Sequence, residues 1–315
     1  MESIKSKKVI SIVAATSSGK TTLAVELAKI LNGEIISLDS RQVYKGMVIG
    51  TAQPTQSEMC EVPHHLFGFL NPWKPISAGE YADMVFDLVK DIQNKGKTPI
   101  ICGGSGLYYR AVSKGIFPDS VSDLIVRSRL EKLYDKNPSE LLDHLRSIDP
   151  EYADIVHINN KKRLVRALEI YETTGKPPSV HFHSQTYNVS NRLNLYTVML
   201  DWNRESLIHR IGLRLDQMLS LGWIEEVKDL LEKQRKMSLH FPALNSIGYA
   251  QIRSYLNNER SYDEMKEDIH IKTRQFARRQ KQWFKKEHID LEVKMDDIEK
   301  NQIAQILYCL FKVII

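Results

Sequence analysis

The stretch "VISIVAATSSGKTTLAVELA", residues 9–28, constrains the fold more than any other part of the chain. A β-branched apolar run leads into a turn of small residues. Apolar residues at helical spacing follow, at Leu23, Leu27, Ile30 and Leu31. Strand, loop and helix in that order set a helix N-terminus against whatever the loop surrounds, and such a terminus favours anions. Residues 14–21 match the phosphate-loop pattern GxxxxGK[ST] at Gly19, Lys20 and Thr21, with Ala14 in place of the first glycine. In that pattern backbone amides cradle phosphate oxygens, the lysine neutralises charge and the hydroxyl binds Mg²⁺. Glycine often supplies a special backbone angle at the first position, so alanine implies altered geometry or strain there. The alternative is a decayed loop with a merely solvated lysine.

Further strands alternate with helices. "EIISLDS" is a second strand ending in Asp39, the spacing predicts a helix over 79–93, and "PIICGG" is a third strand running into a helix at "SGLYYRAV". This is the pattern of an α/β chain: a P-loop NTPase-like parallel sheet with helices on both faces. From 119 to 190 no strong strand appears. Helices are expected near 122–134, 138–147, 150–156 and 160–174, followed by a polar loop. We therefore expect a core of 1–118 and 191–315, interrupted by a helical insertion at 119–190. The core resumes with a strand at 195–200 and helices at 204–220, 223–235, 245–256 and 261–285.

Length and composition permit this. The 315 residues suffice for an ample core, and 44 basic against 39 acidic residues give a charge of +5, which permits a polyanionic partner without demanding one. The three cysteines, Cys60, Cys102 and Cys309, are too far apart for a paired metal motif or a disulfide framework, so a cytoplasmic location and a buried structural Cys102 are expected. "MESIKSKKVISIVAA" imitates a signal peptide, but cleavage would ruin the loop that follows. "ILYCLFKVII" is too short to span a bilayer and is broken by Lys312, so a packed terminal element and no membrane partner are expected. Adjacent His64 and His65 point to opposite faces of a strand, which suits hydrogen bonding better than one shared metal.

Nucleotide hydrolases usually carry a strand ending in aspartate for Mg²⁺. Here "TPIICGG" ends in glycines, and Asp39 is the only strand-end carboxylate of the first half. A single acid beside a phosphate cradle, at the sheet edge where ligands bind, suits a general base acting on a weak nucleophile. Asp39 equally suits a cap on the following turn. Gly103 and Gly104 lack the spacing of a dinucleotide fingerprint and suggest close approach of backbone to a ligand. The run "KTRQFARRQKQWFKK", residues 272–286, contains no acid; its aromatics Phe276, Trp283 and Phe284 are read mainly as core, and its basic face suits RNA phosphates and a merely solvated helix face equally.

Taken together, these pieces resemble the tRNA dimethylallyltransferases, the isopentenyl-transferase family. The resemblance runs in order through TSSGKTTLA, DSRQVYKGMVIGTAQP, PHHLFGF, GGSGLYYRA, DPEYA and NNKKRLVRALEIYETTGKP. It continues through RESLIHRIGLRLDQMLSLGWIEEV, SIGYAQ and TRQFARRQKQWF. It implies transfer of a dimethylallyl group from dimethylallyl diphosphate to the N6 amine of the adenosine at position 37 of tRNA, with Mg²⁺ as cofactor. On this resemblance Asp39 is the base. Thr16, Ser17, Ser18, Gly19, Lys20 and Thr21 hold the diphosphate, with Thr21 on Mg²⁺. Arg214 reaches the same group, with Arg210 one turn away, and Ser105 stands beside the reacting base where the family commonly has threonine. The segments that contact the tRNA anticodon stem-loop are Asp39, Ser40, Arg41 and Gln42, then Lys162, Arg163, Leu164, Val165 and Arg166, then Ser246, Ile247, Gly248, Tyr249, Ala250 and Gln251. Arg127 aligns with a further contact. The insertion would clamp the stem-loop, and a monomer is expected. Two sites depart from the family: Ala14-Ala15 replaces a glycine-proline pair, and Asn160 replaces an acid. A catalytically impaired tRNA-binding paralogue and a small-molecule kinase are the competing readings.

Overall fold

The computed structural model describes residues 8–115, 123–184 and 192–296, together with Gln302, Gln305, Leu307 and Tyr308. The expectations for the N-terminal seven residues, for Cys309 and for most of the apolar tail lie outside the described residues. Two compact units emerge, one of Met1–Ser113 with Leu193–Ile315 and one of Lys114–Arg192.

The first unit is built on parallel strands in the order β3-β2-β4-β1-β5-β6. They are β1 (Val9–Ala14), β2 (Gly33–Ser37), β3 (His64–His65), β4 (Thr98–Gly103), β5 (Leu195–Asp201) and β6 (Leu291–Lys294). Its helices are α1 (Lys20–Leu31), α2 (Gln56–Glu61), α3 (Ala78–Asn94) and α4 (Gly106–Lys114) before the second unit. After it come α10 (Arg204–Ser220), α11 (Trp223–Met237), a 3-10 turn at Pro242–Asn245, α12 (Tyr249–Leu256) and α13 (Tyr262–Phe284). The α/β P-loop-like architecture is therefore present. Alternate residues of a strand face opposite sides. Ile10, Ile12 and Ala14 join Ile35, Ile100, Val198 and Leu200 under Leu23, Leu27 and Ala28 of α1. On the opposite face Tyr109 of α4 bonds Thr197 at 2.8 Å and meets Phe284 of α13 edge-on. Among the described residues no helix is long and apolar enough to cross a membrane.

The second unit is helical: α5 (Leu124–Lys136), α6 (Pro138–Ile148), α7 (Pro150–Ile155), α8 (Lys161–Thr174) and α9 (Pro178–Ser184). Its core gathers Leu130, Leu141, Leu145, Ala153, Leu164, Val165 and Leu168. The short connections are closed by side-chain caps. Asp149 of "DPEYA" caps α7 through Tyr152 N at 3.0 Å and takes Ser179 N at 2.7 Å with its other oxygen. Asn160 caps α8 through Arg163 N at 3.3 Å, a task an acid performs equally well.

Several expectations need correction. Strand β2 stops at Ser37, so Asp39 lies two residues beyond it. The helix expected over 245–256 begins only at Tyr249, because Pro242–Asn245 forms a 3-10 turn. In the second half of the chain, β5 ends in a carboxylate, Asp201, that Lys281 and Lys294 neutralise. Phe276 is exposed on α13 and Trp283 only half-buried, while Gln280 and Phe284 are buried. Gly103 and Gly104 are not cleared for a ligand. A β-carbon on Gly103 would sit 2.1 Å from the Leu38 carbonyl oxygen, and one on Gly104 would sit 2.4 Å from Gln280 Nε2. The ends of β4 and β2 thus approach too closely for any side chain, and Leu38 precedes Asp39. Gly103→Ala should cost about 3 kcal/mol, the upper range for overpacking, because the obstacle is backbone. Denaturant unfolding checks this, and an unchanged midpoint would refute the packing argument.

Candidate active site

Parallel strands deliver their C-terminal ends to one edge of the sheet, where ligands bind in open α/β folds. The ends of β1, β2 and β4 place Ala14–Thr21, Asp39 and Gly103–Ser105 there. Ala14 is the last residue of β1, buried and paired with Leu200, and its φ is not positive. The left-handed turns of the loop fall instead at Ser17 (φ 63°) and Gly19 (φ 86°). The missing first glycine therefore costs this loop no backbone conformation.

The loop is fastened from outside. Ser18 Oγ donates to Ala15 O at 2.8 Å, Arg210 Nε to Ser17 O at 2.8 Å and Trp202 Nε1 to Ser18 O at 2.9 Å. Arg210 also lies over the Trp202 ring, 4.3 Å from its centroid. Gln280 takes the Thr16 N–H at 2.9 Å and donates to Gly104 O at 2.9 Å, bridging the loop to β4. The carbonyls of Ala15, Ser17, Ser18 and Gly19 are taken, while the N–H groups of Ser17, Ser18, Gly19, Lys20 and Thr21 have no acceptor among the described residues. Five donors at a helix N-terminus form an anion cradle.

Cations and one acid surround it. Lys20 Nζ lies 3.5 Å from Ala15 O, and Arg214 Nη1 lies 3.5 Å from Thr16 Oγ1. Burial holds the Lys20 ammonium below its ordinary 10.5; Cys102 and Asp39 oppose that shift and Arg214 adds to it. Burial likewise lowers Arg214, against the pull of Asp39 and with the push of Arg210. Lys20, Arg214 and Asp39 thus feel one another's charge. Cys102, at the end of β4, is buried and its thiol pushed up to about 11, mainly by desolvation, so it is no nucleophile.

Asp39 performs the capping role that one of its two sequence readings gave it. Its Oδ1 accepts Arg41 N at 2.8 Å and Gln42 N at 3.4 Å, which caps the turn and fixes the carboxylate. Its Oδ2 accepts no hydrogen bond among the described residues. One oxygen is spent on orientation and the other is offered. Ser105 opens α4, with its N–H on Leu38 O at 3.1 Å, next to Asp39.

The expected RNA-contacting residues divide. Arg41, Lys162 and Arg163 are exposed, and Ser40 is half-buried. Gln42 is committed internally: its Nε2 donates to Thr51 O at 3.2 Å and Ala52 O at 2.7 Å. Leu164 and Val165 are core residues of the helical unit. Arg127 and Arg166 both pair with the buried carboxylate of Glu169, at 2.8 and 2.7 Å. Ser246, Gly248, Tyr249 and Gln251 are buried, leaving Ile247 and Ala250 partly exposed. Sequence reasoning missed Gln280 and Trp202, whose partners lie far away along the chain. His64 and His65 are hydrogen-bonded, to Val62 O and to Glu34, each at 2.7 Å.

The depressed pKa of Lys20 has a measurable sign. A bound diphosphate favours the charged ammonium and draws it back up, so binding takes up a proton at alkaline pH. Pyrophosphate affinity should then fall as pH rises through the free site's value, beginning below 10.5. Calorimetry in two buffers of different ionisation enthalpy reads the uptake. Lys20→Arg should abolish it, because arginine stays charged.

The family model described as IPP transferase matches residues 42–287. The tRNA dimethylallyltransferase of Acetivibrio thermocellus is 40% identical over 280 residues, 88% of each chain. That of Anoxybacillus flavithermus is 39% identical over 280 residues, 89% of this chain and 88% of its own. Among solved structures, the tRNA isopentenylpyrophosphate transferase of Bacillus halodurans aligns with TM-score 0.69 and 34% identity over 97% of each chain. A eukaryotic dimethylallyltransferase acting on tRNA aligns with TM-score 0.81 and 28% identity, over 98% of this chain and 80% of that one.

Proposed function

This chain belongs to the IPP transferase family and transfers a dimethylallyl group to tRNA; from that premise we propose that Lys20, Arg214 and the free loop amides hold the donor's diphosphate while Asp39 faces the acceptor amine. The observation that carries this assignment is the convergence of two cations, five uncommitted N–H groups and one half-committed carboxylate at one sheet edge.

The acceptor is the N6 amine of adenosine 37, a poor nucleophile because its lone pair is delocalised into the ring. The N6–C1 bond forms as the C1–O bond to diphosphate breaks. The amine proton passes to Asp39 Oδ2, and the developing charge on the diphosphate falls on Lys20, Arg214 and the amides. The adenosine leaves its stack to reach the site. The Thr21 hydroxyl is half-buried and has no partner among the described residues, which fits a Mg²⁺ that takes few protein ligands and completes its shell from phosphates. Bound there, Mg²⁺ would neutralise charge on the leaving diphosphate. Exposed Arg41, Lys162 and Arg163, with the basic face of α13, are the proposed RNA contacts; the helical unit would hold the anticodon stem-loop. The buried members of the earlier segments serve as scaffold.

The test is transfer from labelled dimethylallyl diphosphate, with Mg²⁺, to unmodified tRNA bearing adenosines on both sides of position 37. Label confined to adenosine 37 is expected. Binding without label would favour the impaired paralogue, and ATP turnover without RNA would favour a kinase.

A further inference from the structure

The segment from Asp39 to Pro54 carries the proposed base but forms little regular secondary structure of its own. Something outside it must hold its shape. The Glu226 carboxylate, on the first turn of α11, does so at the far end. Its Oε2 accepts Ile49 N at 2.7 Å, and its Oε1 accepts Gly50 N at 3.1 Å. Tyr249, fully buried at the start of α12, donates its hydroxyl to Oε1 at 2.6 Å. Burial and the neighbouring carboxylate both raise the Tyr249 pKa, so the phenol stays a donor.

The packing around this clamp leaves no room for a side chain at two positions. The Trp223 ring fills the space of two missing side chains: a β-carbon on Gly50 would lie 1.9 Å from it, and one on Gly248 would lie 2.0 Å from it. Gly248 also holds φ at +88°. Ring, two glycines and carboxylate therefore lock residues 49–50 onto α11 and α12.

From there hydrogen bonds and short stretches of backbone connect the clamp to the base. Thr51 O and Ala52 O, directly after the clamped amides, receive Gln42 Nε2 at 3.2 and 2.7 Å. Gln53 Nε2 ties the same turn from the other side, to Gln42 O at 2.9 Å and Tyr44 O at 2.8 Å. The Gln42 N–H reaches Asp39 Oδ1 at 3.4 Å.

We propose that Glu226 is a positioning residue for the transfer reaction: it clamps Ile49 and Gly50 so that Gln42 in turn holds the Asp39 carboxylate at its working angle. The proposal rests on the assignment of Asp39 as the base. Glu226 bonds Ile49, Gly50 and Tyr249 and makes no hydrogen bond to the loop at residues 14–21. Its loss should therefore slow the chemical step and leave pyrophosphate affinity alone.

The test is a cycle of four proteins: parent, Glu226→Gln, Asp39→Asn and the double variant. Single-turnover transfer rate, pyrophosphate affinity and thermal midpoint are measured for each. Glutamine keeps one acceptor oxygen but sets an NH₂ against one of the two amide donors. Glu226→Gln should slow transfer about tenfold in the parent, with pyrophosphate affinity within twofold, and less than twofold in the Asp39→Asn background. Equal slowing in both backgrounds, or none in the parent, would overturn the positioning role. A parent-like rate in Asp39→Asn would instead defeat the base assignment itself. If Glu226→Gln does not fold, Tyr249→Phe removes one donor and keeps the carboxylate on its amides. It should slow transfer two- to fivefold, again only where Asp39 is present; slowing that ignores residue 39 would overturn the proposal.

Discussion

Asp39→Asn lowers the single-turnover transfer rate by about two to four orders of magnitude, the span a positioned proton acceptor contributes. The substitution is well chosen because it preserves the fold. Asparagine retains an oxygen for the Arg41 and Gln42 amides that Oδ1 receives now, so the turn survives. What disappears is the basicity of the second oxygen. Pyrophosphate affinity and tRNA affinity should stay within a few fold of the parent. A variant that turns over normally would leave the carboxylate as a turn cap and nothing more.

Lys20→Met lowers transfer by about two to three orders of magnitude, the range for removing one preorganised group from developing charge. Methionine nearly preserves the length and bulk of the stem, so the effect is electrostatic. The pattern differs from that at Asp39: donor affinity weakens and the diphosphate departs more slowly, while tRNA affinity is unchanged. Because burial already disfavours the lysine charge in the empty site, removing that charge should not destabilise the unliganded fold. A loss confined to tRNA affinity would remove Lys20 from the donor site.

The sequence disclosed what local chemistry specifies. β1, the loop and α1 were legible because an apolar run, Gly19-Lys20-Thr21 and a helical stripe are contiguous. Helices α5 to α8 of the second unit were legible. β6 was not, since "LEVK" is a short edge strand with charged residues on its exposed side. The short helices α2 and α9 were missed for want of a full apolar stripe. Asp39 was found because a lone acid after an apolar run stands out. The partners that shape the site were not. Gln280 meets Thr16 from 264 residues away and Glu226 meets Gly50 from 176, and pairing at such separations leaves no local pattern to read. The same limit placed Leu164, Val165 and Tyr249 among RNA contacts: a motif names a segment, but only packing tells which side chains of it face out.

Strand β1 lies between β4, completed by residue 103, and β5, which ends at residue 201. On a ribosome this order imposes a wait. The half-sheet β3-β2-β4-β1 is complete in sequence while one edge of β1, the run Val9–Ala14, still lacks its neighbour. At ordinary elongation rates of about 5–20 residues per second, roughly a hundred further residues take roughly 5–20 s to appear. Throughout that interval the nascent chain presents an apolar, unpaired edge of the kind that recruits other strands. The helical unit, encoded between the two neighbours of β1, is thus also a delay in the assembly of the sheet it interrupts, and chaperone demand during synthesis should scale with its length.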